Sequence, residues 1–174
     1  MNNDYQSCVD QILSAWEPKQ KEGALKIIQK YGYPQEATAS RLIWYNNGVW
    51  KRTIVHRDAV PHCFPTLHPD FLEQTIDYRT PLDAFDALAY YDGSVYPDRT
   101  KGEVSVFCDK EEMNTLSLNL FHDIVTCKRT VEEARKCYTE IAKNYLLNGI
   151  SSPYLEQLLF PPQHNTADPD VRYF

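Results

Sequence analysis

Three of the five histidines crowd into one stretch, His56, His62 and His68, with Asp58 and Cys63 among them and Asp70 just beyond. Imidazole nitrogens and carboxylate oxygens are donors that Zn2+ and Fe2+ both accept, and both ions tolerate a position left open for water or substrate. His56, Asp58, His62 and His68 are therefore the candidate metal ligands, in a spacing that matches no metal-binding motif. Pro61, Pro65 and Pro69 punctuate the same stretch. A proline-bent loop in which each histidine bonds a neighbouring carbonyl needs no metal, so the default expectation is no cofactor and the alternative is Zn2+ or Fe2+. Cys63 beside His62 or His68 suits thiol chemistry in principle, but nothing in the sequence lowers its pKa.

A second cluster is cationic. Arg52 and His56 fall on one face of an expected strand, and Lys51 and Arg57 on the other, so the strand can offer a patch to an anion; guanidinium forks suit carboxylates and phosphates. The competing reading pairs these charges with Glu73 or Asp77 on a neighbouring strand. A third signal is His122-Asp123 on the most apolar helix, near Asn114 and Asn119, because polar groups placed so deep must be hydrogen-bonded. Adjacent helix residues point about 100° apart, so the two cannot form a dyad with each other. Arg52, His56, Arg57 and His122 are the ligand-binding candidates. No G-x-S-x-G turn, Walker loop or G-x-G-x-x-G loop is present, so the commonest hydrolase and nucleotide signatures are missing.

The elements that must position these residues are legible from periodicity. Apolar residues from Tyr5 to Trp16 recur at helical spacing, Pro18 stops the run, and a second helix, 19–31, is closed by Gly32. Arg41 to Tyr45 and Val49 to Arg57 flank Asn46-Asn47-Gly48, a hairpin by its turn residues. A loop over 58–70 leads to an alternating strand at 72–78. Thr80-Pro81 then reads as a helix start, and the helix ends at Asp92-Gly93. Val95-Tyr96 and Glu103 to Cys108 suggest a second hairpin. Asp109 to Glu112 and Thr130 to Glu133 both read as capping boxes, the first opening a buried central helix and the second a long one ending at Asn148-Gly149. A short helix is expected at 153–159. This order predicts an α+β fold: an antiparallel sheet of about five strands, two hairpins plus one strand, with helices packed on one face.

The chain of 174 residues suits one domain over 1–160, followed by an extended or disordered tail over 161–174 that has no hydrophobic run. The net charge of -6 opposes phosphate backbones, so nucleic acid is not an expected partner. No apolar run is long enough to span a bilayer and the opening Met1 to Asp10 is polar, which predicts a cytoplasmic protein without membrane attachment. Five scattered cysteines without a C-x-x-C pair fit reduced thiols better than disulfides.

Tyr31-Gly32-Tyr33-Pro34, followed by the Trp-bearing hairpin, resembles the helix, G-x-P, strand opening of small lipoproteins of the outer-membrane assembly type, a likeness confined to this stretch and carrying no function across. Twelve tyrosines and three tryptophans supply amphipathic surface. The expected function is accordingly a binding or interaction module with an aromatic-rich surface for a protein partner or a second copy of the chain. The alternative is a small metal-dependent or ligand-binding enzyme using the His56 to His68 loop.

Overall fold

The computed structural model describes residues 3–174, so Met1 and Asn2 of the polar opening stretch lie outside the described residues. Two helices, α1 (Asn3–Ser14) and α2 (Pro18–Tyr31), lead into strands β1 (Glu36–Thr38), β2 (Arg41–Asn47), β3 (Trp50–His62) and β4 (His68–Asp77). A 3-10 turn and α3 (Phe85–Tyr91) precede β5 (Val95–Asp98) and β6 (Glu103–Cys108). Three helices, α4 (Glu111–Val125), α5 (Val131–Asn148) and α6 (Pro153–Glu156), complete the element order. The strands form one six-stranded sheet in the order β1-β2-β3-β4-β6-β5, and every pairing is antiparallel. The fold is α+β with six strands rather than five; β1, three residues long, carries too little pattern to be recognised.

Side chains alternate across the sheet, and one face takes all the helices. Leu42, Trp44, Val55 and Leu72 lie under α1 and α2 with Val9, Leu13 and Ile27. Ile76, Val104, Val106 and Cys108 lie under α3 to α6 with Leu116, Phe121 and Tyr138. Between these two apolar clusters runs a buried polar seam: Asn47 and Gln74 both donate to the Thr53 hydroxyl, and Asn114 of α4 donates to Gln74. All three tryptophans are buried. α4 is the central helix, with eleven of its residues buried.

Three local expectations are corrected. The stretch 58–70 is not a free loop: β3 and β4 continue through it, past a bulge, until Val60 pairs with Asp70, Pro61 with Pro69 and His62 with His68. Thr80 does not cap a helix, since Pro81 precedes the 3-10 turn and α3 starts only at Phe85. Lys110, not Asp109, is the N-cap of α4 and makes no capping bond, whereas the Thr130–Glu133 box on α5 forms fully. The tail is extended and docked. Thr166 is buried and donates to the Gly102 carbonyl at 2.7 Å, and Asp168 and Asp170 pair with Arg99. Gly102 has a positive φ of 63°, and a Cβ there would meet the Thr166 backbone at 2.1 Å.

Candidate functional site

The long β3–β4 hairpin carries its tip towards α5, where Phe64 packs on Tyr138 at 5.1 Å between ring centres and Arg135 lies 3.9 Å over the Phe64 ring. Cross-strand pairing puts His62 opposite His68, with their rings 5.0 Å apart. Asp70, two residues further along β4, completes a group whose three donor atoms lie within 4.8 Å of one another. Asp70 is 1% exposed.

Each donor is held from behind. His68 Nδ1 lies 2.7 Å from the Thr66 carbonyl; since a carbonyl only accepts, Nδ1 carries the hydrogen, and in the neutral ring Nε2 presents a lone pair. His62 Nε2 faces Asp92 Oδ1 at 3.5 Å while its Nδ1 lies 3.2 Å from Asp70 Oδ2. Ser94 donates to Asp70 Oδ2 at 2.6 Å, which leaves Asp70 Oδ1 facing His68 Nε2 at 3.0 Å. Neither of those two buried atoms has an aligned hydrogen-bond partner. Carbonyl and carboxylate partners on the far side of ligating imidazoles are what metal centres use to fix tautomer and ring orientation.

The electrostatics point the same way. Asp70 and Asp92 are both buried, and two carboxylates taken from water need positive charge nearby. Burial raises the Asp92 pKa, with His62 and Arg135 opposing. At His68, burial favours the neutral ring, but the adjoining Asp70 carboxylate and Cys108 outweigh it and the pKa is pushed up to about 11. The lone pair on Nε2 therefore holds a proton, or a cation in its place.

The other predicted site residues lie elsewhere. His56 points to the uncovered sheet face, where it meets Glu73 at 3.0 Å and the Phe107 ring edge-on. Arg52 on that face bonds Glu103 and Thr75, and Lys51 meets Asp77 and Glu103, so the cross-strand pairing is what is observed. Arg57 and Asp58 form an exposed pair with each other, on the bulged part of β3. His122 Nδ1 shares a hydrogen bond of 2.8 Å with the Tyr78 hydroxyl, its ring stacks on Phe160 at 4.4 Å, and burial lowers its pKa. Of the proposed metal ligands, the structure thus joins His62 and His68 and leaves out His56 and Asp58. Asp70 was in view in the sequence, but Asp92, Ser94 and Cys108 arrive only through strand pairing. No cysteine among the described residues forms a disulfide, and only Cys108 is fully buried.

No family model, curated protein or solved structure matches the chain. Among the described residues no helix is long and apolar enough to cross a membrane.

Proposed function

We propose that this protein binds a divalent transition-metal ion, Zn2+ or Fe2+, through His62, His68 and Asp70, and that the centre serves a metal-dependent reaction on a small molecule. The observation that carries this reading is the grouping of the His62, His68 and Asp70 donor atoms within 4.8 Å, with His68 Nε2 and Asp70 Oδ1 buried 3.0 Å apart, a gap that a proton or a metal ion must occupy. Donors about 2.0–2.2 Å from a common ion sit roughly 3.0–3.5 Å apart, so the separation already suits a shared cation. Two imidazoles and one carboxylate leave positions open, and an ion so held supplies Lewis acidity or an activated water. Asp92, Ser94 and the Thr66 carbonyl orient the ligands from outside.

The test is metal analysis of the purified, untagged protein by mass spectrometry, beside thermal melts with Zn2+, Fe2+ and a chelator. Stoichiometric metal, a midpoint that rises with the ion and falls with the chelator, and loss of both in a His62→Ala/His68→Ala double variant are expected, because a ligand of the native state stabilises it by linkage. Absence of metal and of any shift would overturn the reading, leave His68 as a buried imidazolium, and return attention to a partner for the uncovered sheet face, where Tyr45 and Tyr96 are exposed.

A further inference from the structure

A cavity of about 200 Å3 adjoins the metal centre, with His68 and Cys108 in its wall. The rest of that wall divides sharply in character. Met113 and Tyr138, both nearly fully buried, give it an apolar floor together with the rings of Pro65 and Pro69. Two ammonium groups stand over the same space, Lys19 from the first turn of α2 and Lys110 from the turn into α4. Lys110 is paired with Asp109, the one carboxylate in the wall. Lys19 is exposed, and its side chain has no ion pair or hydrogen bond among the described residues. Both helices begin without a side-chain cap, but Glu17 at the start of α2 and Glu111 and Glu112 in the first turn of α4 offset the positive potential of those ends, so the cationic character of the wall rests on the two lysines.

We infer that this cavity binds a small monocarboxylate, its apolar body against Met113 and Tyr138 and its carboxylate held between Lys19 and Lys110, beside the His68 ligand of the metal centre. With Lys110 already paired to Asp109, the wall carries one lysine more than its carboxylate, and a single surplus cation over an apolar floor suits an anion with an oily body rather than a free inorganic ion. Few well-placed polar groups on an apolar lining are the usual build of a small-ligand site. The inference rests on the metal-centre reading for its place in a reaction, but recognition of the carboxylate is assigned to Lys19 and Lys110 and does not require the ion.

Met113 makes a direct test simple, because the chain has only two methionines and the other is Met1. Protein labelled with [13C-methyl]methionine is titrated with hexanoate and benzoate, and separately with hexanamide and benzamide, in both chelator-treated and Zn2+-loaded forms. The expected result is a saturable shift of the Met113 methyl signal with the acids, at least about tenfold weaker with the amides, a difference of about 1.4 kcal/mol. A Lys19→Ala/Lys110→Ala variant, checked for unchanged circular dichroism and ligand-free melting, should bind the acids and the amides alike. Equal binding of acids and amides by the native protein would overturn the charge recognition, and a Met113 signal unmoved by either would overturn the site. A metal centre that fails shows itself separately, as no Zn2+ retained while the acids still move Met113.

Discussion

Ser94 shows how much of the proposed metal centre would depend on a residue that touches no ion. Its hydroxyl donates to Asp70 Oδ2 at 2.6 Å and lies 3.3 Å from His62 Nδ1, so it fixes which carboxylate oxygen is left for His68. Outer partners of this kind are worth about 10–100-fold in metal affinity. Ser94→Ala should weaken Zn2+ binding by that order in a competition with a chromophoric chelator, while the melting of the metal-free protein changes little. An affinity unchanged in Ser94→Ala would mean that Asp70 is positioned by strand pairing alone. At this scale the sequence revealed the crowding of imidazoles and not their sorting. His56 and His62 are six residues apart, yet one meets Glu73 on the uncovered face and the other meets His68 at the hairpin tip, because a bulge lies between them and bulges cannot be read from residue types. Asp92 and Ser94 look like an ordinary helix end and turn in the sequence, and only the pairing of β5 with β6 brings them to Asp70.

At the scale of elements, what was legible followed local chemistry and what was missed followed tertiary context. The hairpin at Asn46-Asn47-Gly48 forms, with its turn one residue further on at Gly48-Val49 since Asn47 pairs with Trp50, and the Thr130 capping box forms as read, because turn geometry and capping depend on neighbours in the chain. Prolines over 58–70 suggested a loop; instead Pro61 and Pro69 face each other at the open end of the ladder, where a missing N–H costs little. The junction of α4 with α5 and α6 shows the same dependence on distant partners. Asp123, near the end of α4, accepts from Arg129 at 2.9 Å and Tyr154 at 2.8 Å and pairs with Lys128. Burial alone would raise its pKa, but Lys128, Tyr154 and Arg129 hold it below the ordinary carboxylate value. The folded state then binds fewer protons than the unfolded one, so this stabilisation is complete above the unfolded value of about 4 and is lost as pH falls through the lower folded value. Asp123→Asn should cost about 1.5–3 kcal/mol at neutral pH, the range for hydrogen bonds to charged groups. Its deficit against the native protein in urea denaturation should shrink as pH falls below about 4. A deficit independent of pH would assign the loss to packing instead of charge.

For the whole molecule the question is what joins the two helical groups, since each packs on its own half of one sheet face. The polar seam lies between them. Asn114 of α4 donates to both the Leu72 carbonyl and Gln74 Oε1, and Gln74 donates to Thr53, all of them buried. Seams of this sort specify register between parts, because a buried polar group left without its partner costs about 1–3 kcal/mol while removal of both partners can be nearly neutral. Gln74→Leu and Asn114→Leu should each destabilise by that order, the first by stripping Asn114 of an acceptor and the second by leaving Gln74 Oε1 buried and unpaired. The double variant should lose less than the sum, with a coupling of about 0.5–3 kcal/mol as residues in direct contact give. The measurement is a double-mutant cycle in urea, followed by tryptophan fluorescence and by far-ultraviolet circular dichroism. Trp44 belongs to the first cluster and Trp50 to the second, so fluorescence samples both halves. Coincident transitions with sub-additive losses would show that the seam couples the halves into one cooperative unit. Strict additivity would mean that the seam does not couple the halves and that the apolar clusters and the bonds of Lys30 and Tyr31 to Glu111 hold α2 to α4, and separated transitions in the single variants would mean that the seam is what keeps the two halves folding together.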